Sequence, residues 1–243
     1  MKKSLFFLCL LLISSVAFSQ KQVKTSGKTA QDFYNSGNEK LKLGSYSEAI
    51  IDYSAAIKLQ PDFAEAYINR GAAQGETGRY TGALQDYNKA ISLKPDFFEA
   101  YLNRGTAKGG AEDYIGAIQD YNKALKLKPD NADVFFNRAA AKAELGDFRG
   151  AILDYSKVLE LHPDHVKAYN GRGLAKHELK DFSAAVLDFN KVTEIEPENA
   201  LAFSNKGISK NKLNDKEGAC LDFSKAGELG YKKAYEMIKK YCD

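Results

Sequence analysis

The sequence is poor in the residue types on which disulfide-rich domains, metal centres and many active sites depend. Among 243 residues there are no tryptophans, two methionines, three histidines and three cysteines. Three cysteines are too few for a disulfide framework. Two of the histidines, His162 and His165, share one turn, and a metal site there would lack ligands. No phosphate-binding loop, nucleophile elbow or metalloprotease motif occurs, so we predict no enzyme, no cofactor and no metal.

The sequence also lacks a large excess of positive or negative charge. The chain has 35 lysines and arginines against 32 acidic residues, and without Lys2 and Lys3 the basic count is 35 − 2 = 33. Nucleic-acid-binding proteins carry a basic excess on one face, so this class is not expected. The sequence fixes no oligomeric state.

The one long apolar run stands at the N terminus. Lys2 and Lys3 precede an apolar run over 5–13, and small residues follow up to Ser19. This layout is typical of a secretory signal peptide, and the run is far shorter than the ~20 residues that span a bilayer. We therefore expect a signal peptide over 1–19, a flexible leader over 20–28, and a periplasmic or secreted mature chain without a membrane span. An uncleaved anchor is the alternative.

The few prolines are regularly spaced. Pro61, Pro95, Pro129, Pro163 and Pro197 are each 34 residues apart, and similar text follows them, as in "PDFAEAY", "PDFFEAY" and "PDHVKAY". A fixed period of this length predicts stacked helical units. With the proline as position 32, the units cover 30–63, 64–97, 98–131, 132–165, 166–199 and 200–233, and a lysine-rich segment over 234–243 follows.

Each unit has the pattern of two packed helices. Position 4 is aromatic, position 8 is small, position 20 is alanine and position 24 is Tyr or Phe in every unit. Positions 4 and 8 share a face of the first helix, and positions 20 and 24 share a face of the second. Glycine at position 8, present in five units, predicts close packing of the two helices. Thr29 is expected to cap the first helix, and Asp62 and Asp96 to cap later ones.

The period of 34 and these positions resemble the tetratricopeptide repeat family. The resemblance covers residues 30–233. It implies an all-α, right-handed superhelical solenoid of six helix pairs, with 234–243 as a C-terminal capping helix. It also implies a non-enzymatic scaffold that binds a protein or peptide. The alternative is a structural subunit of a cell-envelope complex, which would use its edges or its convex face.

Charges recur with the units. Position 7 is basic in units two to six (Arg70, Arg104, Arg138, Arg172, Lys206), and position 23 is aspartate in all six (Asp52, Asp86, Asp120, Asp154, Asp188, Asp222). Unit one has Ser36 at position 7 and would leave Asp52 unpaired if pairing were within units. We therefore predict that each cation pairs with the aspartate of the preceding unit, as Arg70 with Asp52, and that Lys240 pairs with Asp222.

The resemblance places positions 2, 5, 6 and 9 on a concave groove. Asparagine recurs at position 6, and apolar residues stand at position 5 of four units. An amide side chain offers one acceptor and two donors, which matches a peptide backbone. We hypothesise a groove that holds peptide backbone, with selectivity from position 5; simple solvated asparagines are the alternative. Glu65, Glu99 and Asp133 would favour a neutral or basic segment. The groove residues are Tyr34, Asn35, Asn38, Ile68, Asn69, Leu102, Asn103, Phe136, Asn137 and Asn205.

The cysteines favour a disulfide. Cys9 would leave with the signal peptide, while Cys220 and Cys242 are equidistant from residue 231, in the turn before the last helix. Residues equidistant from the turn lie side by side in an antiparallel helix pair, and export favours oxidation. We therefore predict a disulfide between Cys220 and Cys242 that holds the last helix in place.

Overall fold

The computed structural model describes residues 27–242. The predicted signal peptide, Cys9 and most of the predicted leader lie outside the described residues. Residues 27–242 contain helices and turns without strands, and the predicted all-α fold is confirmed. The helices are α1 (Ala30–Lys42), α2 (Tyr46–Leu59), α3 (Ala64–Glu76), α4 (Tyr80–Leu93), α5 (Phe98–Gly110), α6 (Tyr114–Leu127), α7 (Ala132–Glu144), α8 (Phe148–Leu161), α9 (Val166–Glu178), α10 (Phe182–Ile195), α11 (Ala200–Lys212), α12 (Lys216–Glu228) and α13 (Lys233–Tyr241). Over the described range, no helix has the length and apolar character that crossing a bilayer requires.

The first helix of each unit starts at position 1. Thr29 caps α1, because its hydroxyl accepts from the Asp32 N–H while the Asp32 carboxylate accepts from the Thr29 N–H. The prediction that Asp62 and Asp96 are caps is wrong. The N-cap is the next residue, which is Phe63 for α3 and makes no side-chain cap bond. Polar residues at this position do cap α7, α9 and α11, namely Asn131, His165 and Asn199.

The turn inside each unit requires a left-handed residue at position 15. Gly44, Gly78 and Gly146 supply it with φ of 73° to 77°, whereas Glu112 and Lys180 adopt φ of 63° and 64°. A non-glycine residue pays a steric penalty there, since Cβ crowds the following carbonyl. From unit three onward the next residue is an aspartate that caps the second helix (Asp113, Asp147, Asp181, Asp215).

Glycine at position 8 lets the two helices of a unit approach. A Cβ added at Gly37, Gly71, Gly105, Gly173 or Gly207 would lie 2.6 to 2.9 Å from the position-24 ring of the same unit. That ring is buried in every unit, as Tyr53 at 0% and Tyr121 at 3% exposure illustrate. The predicted close packing is therefore present.

Unit four departs from this arrangement. It has Ala139 at position 8, and its position-24 ring, Tyr155, packs with Ala139 and Phe136 and also lies against the next unit. A Cβ at Gly171 would be 2.5 Å from Cζ and 2.8 Å from Oη of Tyr155. Gly171 occupies position 6, where the other units have asparagine. The two exceptions to the repeat thus form one local adjustment: the Ala139 methyl group prevents the close approach that a position-8 glycine allows, and Gly171 makes room for the ring.

The predicted staggered pairing of charges is wrong. Arg70, Arg104, Arg138, Arg172 and Lys206 bind the aspartate of their own unit at 2.6 to 3.0 Å. Asp52 in unit one is not orphaned, because Lys40 and the Ser36 hydroxyl bind it at 2.7 and 2.6 Å. Lys240 lies over the Tyr241 ring, and Asp222 pairs with Lys206 and Lys210.

Each arginine nevertheless links two units. While Nε and Nη2 of Arg104 hold Asp120, its Nη1 donates to Asn88 Oδ1 of the preceding unit at 2.6 Å. The three other arginines at position 7 make the corresponding bond to the side chain at position 25 of the preceding unit. That side chain is Ser54 for Arg70, Asn122 for Arg138 and Ser156 for Arg172. The link between units is therefore a hydrogen bond to a neutral side chain, not the predicted ion pair.

The stack curves with the first helices inside. Neighbouring first helices contact one another directly, as α3 does with α5 and α7 with α9, and second helices of neighbouring units make no comparable contact within 27–242. The first helices therefore line the concave side, and the second helices form the convex side.

The last helix, α13, covers the C-terminal end of the stack. Met237 lies against Ser204, and Tyr241 stacks on Phe223 with ring centroids 6.1 Å apart. Cys220 and Cys242 are brought together with their Cα atoms 5.8 Å apart, a separation compatible with the predicted disulfide.

Candidate functional site

Among residues 27–242, three hollows on the concave side each lie between two neighbouring first helices. Hollow I lies between α3 and α5 and has a volume of about 540 Å³. Hollow II, between α5 and α7, measures about 260 Å³, and hollow III, between α9 and α11, about 200 Å³. Because the units repeat, equivalent positions of successive units line all three.

One asparagine from position 6 lines each hollow. Asn103 lines hollow I, Asn137 hollow II and Asn205 hollow III, and all three are half-buried. Their side chains make no hydrogen bond to any residue in the described part of the chain. These amides therefore keep donors and an acceptor for a bound molecule.

The buried ring at position 24 forms the floor of each hollow. This ring is Tyr87 in hollow I, Tyr121 in hollow II and Phe189 in hollow III. Burial raises the pKa of Tyr87 and Tyr121 above the ordinary value, so both phenols stay neutral. The Tyr121 hydroxyl donates to Thr106, which lies on the ridge between hollows I and II.

At the junction of units one and two, the predicted groove residues bind one another. The Asn69 amide donates to Tyr34 Oη at 3.1 Å and to Asn38 Oδ1 at 2.8 Å. The Tyr53 hydroxyl donates to the same Asn38 oxygen at 2.8 Å. Both donors of Asn69 are used, so this junction is a closed polar network. Asn35 is exposed and accepts from Gln31.

The apolar residues predicted to form pockets at position 5 pack largely against the core. Ile68 is 4% exposed in a core cluster with Tyr87 and Ala107, so its assignment to the binding surface is wrong. Leu102 and Phe136 are half-buried and also pack against core clusters between units. Position 5 therefore joins successive units, and a pattern of apolar residues alone does not distinguish this from a pocket.

Two of the predicted groove acids are neutralised. Lys94 pairs with Glu65, and Lys128 pairs with Glu99 at 2.9 Å. Burial opposes ionisation of both acids, but the lysine hydrogen bonds outweigh it and hold both carboxyl pKa values below the ordinary value. Neither acid adds net charge to the concave side.

The sequence analysis missed the acids that do line the hollows. Glu76 lines hollow I, Glu144 hollow II and Glu178 hollow III. All three occupy position 13, the last residue of a first helix, where units one, three and six have Lys42, Gly110 and Lys212. Since position 13 does not recur as an acid in every unit, the repeat pattern did not draw attention to it.

Comparisons with known proteins agree with the fold. Family profiles described as "TPR repeat" match residues 37–78, 76–109 and 111–146, and one described as "Tetratricopeptide repeat" matches 136–200. No curated protein matches the chain in sequence.

Among similar solved structures, YrrB, described as "a TPR protein with an unusual peptide-binding site", is 25% identical with a TM-score of 0.69, and the match covers 77% of this chain and 97% of YrrB. MamA is 26% identical with a TM-score of 0.64, covering 72% and 95% of the two chains. A tetratricopeptide repeat protein from Parabacteroides merdae ATCC 43184 is 24% identical with a TM-score of 0.62, covering 88% and 84%.

The period of 34, the paired helices and the matched profiles lead to one assignment. The chain belongs to the tetratricopeptide repeat family, whose fold serves as a scaffold for protein–protein interaction.

Proposed function

We propose that this protein is an exported, non-enzymatic scaffold that holds an extended peptide or protein segment along its concave side. The observation that carries the proposal is the set of three hollows, each lined by an asparagine whose amide makes no bond to the described chain. Such amides match the donors and acceptors of a peptide backbone. YrrB, a similar structure, is described as having a peptide-binding site, which supports the same use of this fold. The signal-peptide-like N terminus supports export.

A photo-crosslinking residue in place of Thr106 tests the groove, because Thr106 is exposed and lines both hollow I and hollow II. The matched position is Leu153 on the convex side, which is 72% exposed. After incubation with envelope fractions, we expect a crosslinked protein from position 106. The variant Asn103→Ala/Asn137→Ala/Asn205→Ala should abolish it, with helicity unchanged by circular dichroism. Crosslinks from position 153 alone would contradict the proposal.

A control for the loss of amides lies on the outer face of the second helices. Gln85→Ala with Gln119→Ala removes two exposed amides away from the groove and should leave crosslinking at position 106 unchanged.

One observation favours the convex side as a second candidate. Position 22 carries leucine in three successive units, and Leu153, Leu187 and Leu221 are 65 to 72% exposed. A row of exposed leucines on neighbouring helices is suited to contact with another protein. The structural-subunit alternative therefore predicts that Leu153→Ser/Leu187→Ser/Leu221→Ser, and not the asparagine variant, abolishes partner capture.

A further inference from the structure

The three hollows share a chemical feature beyond their asparagines. The single acidic residue that lines each is Glu76, Glu144 or Glu178, and none of these carboxylates forms an ion pair within residues 27–242. Other glutamates along the solenoid do have lysine partners, as Glu65, Glu99, Glu160, Glu194 and Glu228 show. The acids without a lysine partner thus include one in each hollow.

No lysine or arginine between residues 27 and 242 lines any of the three hollows. In hollows I and II the glutamate is the only charged residue of the described chain that lines the hollow. Hollow III also contains His177, but burial lowers the pKa of its ring, so it is neutral at pH 7. Lys108 on α5 and Lys142 on α7 bind the buried Asp120 and Asp154. At hollow III, the charge of Lys212 on α11 acts together with burial to lower the pKa of His177, but Lys212 does not line the hollow.

Tyrosine rings line two of the hollows together with the carboxylates. Tyr80 and Tyr87 line hollow I with Glu76, and Tyr114 and Tyr121 line hollow II with Glu144. The Tyr80 ring lies against Gly110, where an added Cβ would come within 3.1 Å of it. A cation in such a hollow is attracted by the negative charge of the carboxylate and by the electron-rich face of an aromatic ring.

We propose that the concave side binds a basic peptide, with a lysine or arginine side chain of the ligand entering a hollow beside its glutamate and, in hollows I and II, beside its tyrosines. This inference rests on the proposed function and adds its ligand class. The asparagines hold the backbone, and the glutamates select the charge. An acidic segment should bind more weakly, because no cation among the described residues lines hollow I or II.

Labelled peptides of equal length, with capped ends and the repeats Lys-Ala-Ser, Gln-Ala-Ser or Glu-Ala-Ser, test the inference by fluorescence anisotropy with the purified protein. In a polyproline-type chain, a three-residue repeat places cations ~9 Å apart. We expect the lysine peptide to bind, the glutamine peptide to bind at least about tenfold more weakly, and the glutamate peptide to bind more weakly still.

The decisive variant is Glu76→Gln/Glu144→Gln/Glu178→Gln. Its matched control is Glu160→Gln/Glu194→Gln/Glu228→Gln, which removes the same charge from exposed second-helix positions. The hollow variant should weaken binding of the lysine peptide about tenfold at low salt, the sum of three partly exposed ion pairs, and the control less than about twofold.

Three results would overturn the inference: equal losses in the two variants, equal binding of the lysine and glutamine peptides, or no binding of the lysine peptide. Crosslinking separates this failure from failure of the proposed function. If the glutamine peptide crosslinks to position 106 as well as the lysine peptide does, the groove binds peptide without charge selection. If peptides crosslink to position 153 alone, the groove itself is not the site.

Discussion

The exchange between Ala139 and Gly171 predicts a coupling between two units that is measurable in the free energy of unfolding. In five units a glycine at position 8 receives the ring of position 24, and in unit four Ala139 displaces Tyr155 toward Gly171. Gly171→Asn restores the asparagine of position 6 but places Cβ 2.5 Å from the Tyr155 ring. Overpacking of this kind costs about 1–3 kcal/mol, while asparagine gains only ~0.3 kcal/mol over glycine in helix propensity.

The second single variant, Ala139→Gly, has its own cost. Ala139 is fully buried, and its replacement loses ~1 kcal/mol of helix propensity and ~0.8 kcal/mol for the buried methyl group. In the double variant, however, the Tyr155 ring can pack against a glycine at position 8, as Tyr121 packs against Gly105 in unit three. The ring then moves away from residue 171, and its clash with the asparagine Cβ disappears. We therefore expect the double variant to lose only about 2 kcal/mol, which corresponds to a favourable coupling of ~1–3 kcal/mol.

Urea unfolding followed by far-ultraviolet circular dichroism measures all four proteins of this cycle, and equal m-values establish that the same surface unfolds in each. If the two single effects add to within ~0.5 kcal/mol, the coupling is absent and the account of Tyr155 is wrong. If it is present, the double variant also tests whether an asparagine at residue 171 extends the groove, because peptide affinity should then rise.

Three further predictions concern stability. Glu112→Gly should raise the free energy of unfolding by about 0.5–1 kcal/mol, because a non-glycine residue with φ of 63° is removed. Gly146→Ala at the equivalent turn should lower the free energy of unfolding by ~1 kcal/mol. Changes of the same sign in the two variants would refute the argument. The variant Cys220→Ser/Cys242→Ser should have a free energy of unfolding in urea that is ~3 kcal/mol lower, because the disulfide would close a loop with a sequence separation of 22. Two reactive thiols in the denatured, unreduced mature chain would contradict a disulfide. Burial lowers the pKa of His177 from 6.5, so the unfolded state gains more protons on acidification. The free energy of unfolding should therefore decrease as the pH falls below about 6.5, and a His177→Gln variant with an unchanged dependence between pH 7 and 5 would disprove this.

The fold could be predicted from the sequence because each residue type that recurs with the period has a single structural role. Proline at position 32 ends a helix, and glycine at position 8 accommodates a ring, so both determine helix pairs and their packing. The direction of charge pairing was not determined in the same way. Arg104 lies 16 residues before Asp120 and 18 residues after Asp86, and a 34-residue period makes both pairings recur equally. The missing cation of unit one favours the wrong choice, because Lys40, at position 11 of the same unit, takes its place as the partner of Asp52.

The candidate site was harder to predict because a repeat search favours positions that are the same in every unit. Such positions hold the solenoid together: position 23 binds within the unit, and position 5, the expected pocket, joins one unit to the next, as Ile68 does. The hollows are instead distinguished by Glu76, Glu144 and Glu178, at a position that is lysine or glycine elsewhere. A ligand that contacts several units at once needs chemistry that differs along the groove, since identical units would bind it equally well in any register. In this solenoid, position 13 is where that difference lies, and the glutamate variants test it directly.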